Sequence, residues 1–270
     1  MTASEVTLGE ALPPFIGVWD TETDGVDVED ARIITAFIGV MSTATGEVVE
    51  RYSWVLQPER PIPAVASDIH GYTTERAERE GRDRTGCIAD IWSTLGEVGN
   101  RMPMVAMNAI YDFTILDREL SRLGIVDEFD SPAVAVERDA TGAVVWPIIF
   151  DPMVFDRAVD KYRKGSRKLV DLCRVYGVPV EENAHDAEAD CRMAGRVAIK
   201  LLGHSRLADL TMQQVHRKLI VTYRSNSLGL ASYWEKGLHN LAEPLRSEKR
   251  AAIADVRAKA DFWPCIPRKL

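Results

Sequence analysis

"PPFIGVWDTETDG", residues 13–25, is the stretch on which the fold turns. Phe15 to Trp19 reads as a short apolar strand, after which the chain passes through Asp20 and Glu22 to a turn at Asp24-Gly25. Side chains two residues apart on a strand share a face, so Asp20 and Glu22 point to one place while Trp19 and Thr21 point elsewhere. Taken alone, the acidic pair is either a turn-capping cluster or part of a cation site.

Downstream, "ARIITAFIGVMSTATGEVVERYSWVLQP", residues 31–58, gives two β-rich runs about a Thr45-Gly46 turn, a hairpin that would extend the first strand into an antiparallel meander. Pro58, Pro61 and Pro63 interrupt the chain before it becomes helical, and a helix without a clean cap is expected from about residue 83 or 85 to 95. Met104 to Met107 reads as a buried strand. From Ala109, the apolar positions Ile110, Phe113, Leu116, Leu120 and Leu123 recur every three or four residues, predicting an amphipathic helix that stops at Gly124. A second hairpin is expected at 133–146, with its turn near Asp139 to Gly142. It is followed by a strand over 147–150, a helix from Asp151-Pro152 to about Lys161 and a short helix in 166–177. The body's last helix carries Ala187, Cys191, Ala194, Val197, Ala198 and Leu201 on its apolar stripe. Strands first and alternating elements afterwards predict an α/β body, residues 1–204, whose mixed sheet is covered by helices. Residues 205–270 read as a mainly helical extension, two helical stretches joined by "SLGLASYWEKGLH" at 227–239.

The chain of 270 residues is 46% hydrophobic and 27% charged, a globular composition. It shows neither a leader pattern nor a run of about 18 apolar residues, so the expectation is a cytoplasmic protein with no membrane partner. Cys87, Cys173, Cys191 and Cys265 form no CxxC pair, which argues against a zinc knuckle or a disulfide framework. The net charge of -8 argues against a simple basic-patch nucleic-acid binder. Its distribution is uneven: from Arg206 onward 12 Lys and Arg stand against 6 Asp and Glu, net +6, leaving 21 against 35, net -14, before it. Such a chain could bring divalent metals and a polyanion together, or simply present two solvated faces.

Two further acidic positions bear on the first pair. Asp112 lies in the first turn of the helix after "MVAMN", and "HDAEAD", residues 185–190, places His185 at a helix start, Asp186 as its N-cap and Asp190 one turn within, with Glu188 solvated. Singly, Asp112 is a first-turn aspartate favoured by the helix dipole, and His185 is a surface or capping histidine. Together, four converging carboxylates would repel one another unless cations neutralised them. Two Mg²⁺ or Mn²⁺ ions would do so, because these hard ions take oxygen ligands and also bind phosphate oxygens.

The set Asp20-x-Glu22, Asn108-x-x-x-Asp112 and His185-x-Ala187-x-x-Asp190 resembles the three motifs of the DEDDh exonucleases, the family of the proofreading epsilon subunit of bacterial DNA polymerase III and of ribonuclease T. "IHGYT" at 69–73 and the stretch 150–178 are similar to family segments as well, and the resemblance covers roughly residues 14–203. It implies an RNase H-like fold with a mixed five-stranded sheet, and 3'-to-5' hydrolysis that releases nucleoside 5'-monophosphates. It also implies that Asp20, Glu22, Asp112 and Asp190 bind metal and that His185 is the general base. Histidine suits that task, since a ring with a pKa near 6.5 is largely neutral at cellular pH. Two departures, Met107 where many members have histidine and Tyr111 where phenylalanine is frequent, bear on substrate preference. Ile16, Thr23 and Asn108 correspond to substrate-facing or supporting places.

A sequence-tolerant exonuclease must also grip a frayed end by stacking beside a positive track. His70, Tyr72 and Tyr111 are candidate contacts to the terminal nucleotides. Lys161, Arg163, Lys164, Arg167 and Lys168 are either phosphate contacts or a solvated turn. Arg246, Lys249 and Arg250 belong either to a backbone track or to an annex that packs on the body or meets a partner. The expected substrate is single-stranded DNA or DNA 3' ends in proofreading or DNA repair, with a DNA polymerase as a candidate partner. RNA trimming is the alternative, because the motifs hold the phosphodiester and do not report the sugar. A non-catalytic accessory module is a third reading, against which the four retained carboxylates argue.

Overall fold

The structure is a computed structural model that describes residues 6–125, 148–181 and 186–266, together with the backbone of 137–138 and 144–145. Strands β1 (Phe15–Thr23), β2 (Ile33–Ser42) and β3 (Val48–Val55) form the expected antiparallel meander about the 45–46 turn. β2 is buried from Ile33 to Met41, as a central strand covered on both faces requires. β4 (Met104–Val105) joins the other edge of β1 in parallel, and after the small pair β5 (Glu137–Arg138) and β6 (Val144–Val145), β7 (Ile149–Phe150) adds in parallel to β4. The result is a five-stranded mixed sheet of order β3-β2-β1-β4-β7.

The helices are α1 (Ala64–His70), α2 (Thr74–Glu80), α3 (Arg84–Arg101), α4 (Ala109–Arg122), α5 (Pro152–Val159), α6 (Leu169–Tyr176), α7 (Ala187–Leu202), α8 (Met212–Gly237) and α9 (Leu245–Lys259). β1 is central, and the chain leaves the carboxyl end of β4 directly into α4, so the start of α4 is delivered beside the acidic end of β1. In open α/β sheets that end is where crevices form. On the other side, α7 lies across β1 and β2. It approaches closely because Gly195 has no side chain: a Cβ there would stand 2.7 Å from Met41 Sδ and 2.8 Å from Val18 Cγ1.

Several boundaries differ from those the sequence predicts. α3 has a clean cap, the Asp83 carboxylate accepting from Gly86 N at 2.7 Å, and it continues to Arg101 because Ile88, Ile91, Leu95 and Val98 keep one buried stripe. β4 is two residues long, since the chain must turn at Asn108, where φ is 59°. α5 ends at Val159, as Asp160 leaves helical geometry with φ -140°. The stretch 227–239 is no joint, because α8 runs helically through it to Gly237. The expected second hairpin is present as β5 and β6, but its turn lies outside the described residues.

The extension packs on the body. Leu207, Val215, Leu219, Trp263 and Cys265 belong to the main hydrophobic core. Ile266 N donates to Thr114 Oγ1 on α4 at 3.0 Å, and Arg118 Nη1 donates to the Ile266 carbonyl at 3.0 Å. Among the described residues no helix is long and apolar enough to cross a membrane, and all four cysteines are buried.

Candidate active site

The alternation of β1 divides its acidic end into two working faces. On one face, Asp20 and Glu22 meet Asp190 from α7, each offering a carboxylate oxygen such that the three lie within 4.8 Å of one another. On the other, Thr21 and Thr23 fasten α4. The Thr21 hydroxyl donates to Asp112 Oδ1 at 2.7 Å and the Thr21 backbone N–H donates to the same oxygen at 3.1 Å. Thr23 Oγ1 lies 2.7 Å from the Tyr111 hydroxyl. Asp190 is set by the start of α7, where the Asp186 carboxylate accepts from Glu188 N and Ala189 N at 3.0 and 3.3 Å. Asp186 is thus the cap the sequence predicts, and Glu188 is spent on Arg51 and Arg192.

The electrostatics of this cluster run one way. Burial, and then the charges of Asp112, Glu22, Asp190 and Asp186, push Asp20 well above the usual carboxylate range. Glu22 is raised to about 8 by burial, Asp190 and Asp112. Asp112 is raised to about 7, chiefly by burial and against the pull of its Thr21 hydrogen bonds. No Lys or Arg among the described residues forms an ion pair with Asp20, Glu22 or Asp112. Crowded carboxylates that raise one another fit a hard divalent cation, which would supply positive charge among them.

This predicts a pH dependence. An ordinary glutamate titrates near 4.3, so between that value and about 8 the native state holds a proton on Glu22 that the unfolded chain has lost. Stability therefore falls as pH rises through this window. Metal binding must displace that proton, so Mn²⁺ is expected to raise the melting temperature more at pH 8 than at pH 5. Thermal melts with chelator and with Mn²⁺ at both values check this, and a larger metal effect at pH 5 would contradict it.

One carboxylate with a supporting part was missed. Asp151, 1% exposed, accepts from Met153 N at 2.8 Å to cap α5 and from Ala109 N at 3.1 Å to cap α4. Burial raises it to about 6 despite these bonds. The Asp-Pro pair announces the first cap, because Pro favours the first helical position. Nothing local announces the second, which stands in for the side-chain cap that Asn108 does not make.

The other candidates are placed as follows. His70 is buried, its Nδ1 accepting from Tyr72 N at 3.2 Å while Nε2 has no hydrogen-bond partner. Burial lowers its pKa. The Tyr72 ring lies under the Arg76 guanidinium at 3.8 Å. Arg163 and Arg167 hold the buried Asp156 at 3.0 and 2.6 Å, while Lys161, Lys164 and Lys168 are exposed. In the extension, Arg246 donates to the Leu238 carbonyl at 3.2 Å, Lys249 lies 3.5 Å over the Trp234 ring, and Arg250 stands 4.0 Å from Glu243. His185 lies outside the described residues. A 470 Å³ cavity lined by Phe15, Met102, Pro103 and Met212 opens at the opposite, N-terminal end of β1.

The strand-end carboxylates, the helix-borne aspartates and the mixed sheet together define a nuclease of the RNase H-like class. The model of the RNase T exonuclease family matches residues 18–198, and the chain belongs to that family, the 3'-to-5' exonucleases of the DEDDh type. Its sequence is 30% identical over 179 residues to the uncharacterized exonuclease CP81 of Escherichia phage 186, covering 64% of this chain and 81% of that one. It is 26% identical over 186 residues to the DNA polymerase III subunit epsilon of Treponema pallidum, covering 69% and 75%. The fold is similar to E. coli exonuclease I solved with a dA16 oligonucleotide, at a TM-score of 0.55 and 18% identity, over 78% of this chain and 44% of that one. The match thus spans less than half the length of exonuclease I.

Proposed function

We propose that this protein removes nucleotides from the 3' end of DNA, releasing nucleoside 5'-monophosphates. The observation that carries the reading is the meeting of Asp20, Glu22 and Asp190 within 4.8 Å at the end of a central strand, with Asp112 bound to the residue between the first two. DNA is supported as the substrate by the epsilon relative, a subunit of a DNA polymerase, and by exonuclease I, which was solved with an oligodeoxynucleotide.

Asp20, Glu22, Asp190 and Asp112 would hold two divalent cations, Mg²⁺ or Mn²⁺. Bound there, such ions supply Lewis acidity, easing deprotonation of water and offsetting charge on the phosphate. The chain's own groups do the rest. His185 takes the proton of the water that attacks the terminal phosphorus, the phosphorus–O3' bond breaks, and the 3' oxygen recovers a proton. Asp186 and Glu181 fasten the chain on either side of the segment that carries His185, Asp186 by capping α7 and Glu181 through ion pairs to Arg192 and Arg196 at 2.5 and 3.0 Å. The acidic body repels a polyanion. The exposed Lys161, Lys164 and Lys168 and the basic extension from 205 to 270 offset that repulsion.

Digestion of 5'-labelled single-stranded DNA, duplex DNA and RNA of one sequence tests the proposal. Stepwise shortening from the 3' end is expected on DNA with Mg²⁺ or Mn²⁺ and none with chelator. Faster shortening of the RNA would reassign the substrate, and intact strands in every arm would defeat the reading.

A further inference from the structure

We propose that the Tyr111 hydroxyl is a positioning group that holds the Glu22 end of β1 against α4. The inference rests on the proposed function for its place in the reaction, and on geometry alone for the clasp itself. Tyr111 Oη lies 2.6 Å from the Gly25 carbonyl and 2.7 Å from Thr23 Oγ1, and Thr23 Oγ1 lies 2.7 Å from the same carbonyl. Two hydroxyls and one carbonyl thus close a triangle, its two protons shared over three contacts. A phenolic hydroxyl can both donate and accept, so Tyr111 can serve either partner of the triangle.

The strand needs a fastener at this point. The parallel partner β4 pairs only with Gly17 and Val18, so beyond Val18 β1 has one neighbour. On that remaining side the register with β2 shifts between Glu22 and Thr23, so the ladder is irregular directly after the second carboxylate before it resumes at Thr23 opposite Ile33. A bulge re-aims the side chains beside it but leaves the ladder locally broken. The Asp24 carboxylate is anchored further on, to Arg60 at 2.6 Å and Arg32 N at 2.7 Å, and these bonds hold the following loop rather than α4. α4 is joined to the strand through consecutive residues, Asp112 to Thr21 and Tyr111 to Thr23. The alternation of β1 therefore puts the cation-facing carboxylates at 20 and 22 and their fasteners at 21 and 23. Phenylalanine, frequent at this position in the family the motifs resemble, has no hydroxyl with which to make the second fastener.

Tyr111→Phe removes one oxygen and leaves the ring. Thr23→Val removes the partner hydroxyl, and Thr23→Ser restores it. For each protein, Mn²⁺ binding is measured by calorimetry without substrate, and kcat and KM are measured on 5'-labelled single-stranded DNA. Tyr111→Phe and Thr23→Val are expected to weaken Mn²⁺ binding and lower kcat by about 10-fold each, the low end for groups that orient metal ligands. KM should stay within about 2-fold, and Thr23→Ser should behave as the parent. If Thr23→Val does not fold, Tyr111→Phe and Thr23→Ser decide. Parental Mn²⁺ affinity and kcat in Tyr111→Phe overturn the proposal, as does a change confined to KM, which would make Tyr111 a substrate contact. A parent that binds Mn²⁺ but shortens no 3' end refutes the proposed function, and the clasp is then judged by Mn²⁺ affinity alone. A parent that binds no Mn²⁺ refutes both.

Discussion

Asp20→Asn is expected to slow 3'-end cleavage by at least about 10²- to 10³-fold, the scale on which removal of one preorganised charge-stabilising group lowers kcat. The substitution keeps the shape of the side chain and removes its charge. Asp20 is the carboxylate on which all the others act: Asp112, Glu22, Asp190 and Asp186 each raise it, on top of burial. The same change should therefore stabilise the metal-free protein, because a neutral amide no longer opposes its neighbours. Each kcal/mol relieved should raise the melting temperature by about 2–4 °C in a chain of this size. The stabilising effect should be larger at pH 8 than at pH 5, since protonation already relieves the cluster in acid. Loss of activity with gain of stability is the signature of a site held together by its ions. Cleavage within tenfold of the parent at saturating Mg²⁺ would remove Asp20 from the reaction, and a lower melting temperature in chelator would show that its carboxylate is a structural asset.

His185→Ala should cost at least about 10²-fold in the chemical step, the low end of what a positioned general base contributes. Mn²⁺ binding and oligonucleotide binding should be unchanged, because the residue's proposed task is to take a proton. The measurement must be made at saturating metal, where the raised carboxylates have already lost their protons and no longer shape the profile. Under those conditions the parent's single-turnover rate should fall on the acid side as the imidazole becomes charged. The alanine variant should lose that limb together with the rate. A variant that is slow but keeps the acid limb points to another base.

What the sequence disclosed, and what it withheld, follows from the range of the interactions. The common face of Asp20 and Glu22 is a property of any strand, and the apolar stripe of α7 is a property of any helix packed on one side, so both were legible. Asp112 and Asp190 could be placed because first-turn positions are defined by local signals. The sequence placed the end of α3 near residue 95, whereas the buried Ile91, Leu95 and Val98 carry it on to Arg101 through tertiary packing. The run of five cations in 161–168 looks like a patch for phosphate. Asp156, seven and eleven residues from Arg163 and Arg167, lies at 0% exposure beneath them, and no local pattern reports which way those arginines turn. The second helix capped by Asp151 and the Tyr111 hydroxyl's hold on Gly25 were hidden for the same reason: each joins residues 42 or 86 positions apart.

The fastening of Ile266 to Thr114 spans 152 positions and has a consequence for biosynthesis. At about 5–20 residues per second, a ribosome needs on the order of ten seconds to travel from α4 to the segment that braces it. Once Asp190 has been added, the nascent chain contains every acidic residue of the cleft, yet the helix that presents Asp112 still lacks the support of Cys265 and Ile266. The newborn nuclease is thus expected to stay loosely assembled, and protease-sensitive, until residues 263–266 have emerged. Chains stalled before residue 263 should be degraded rather than accumulate as working enzyme.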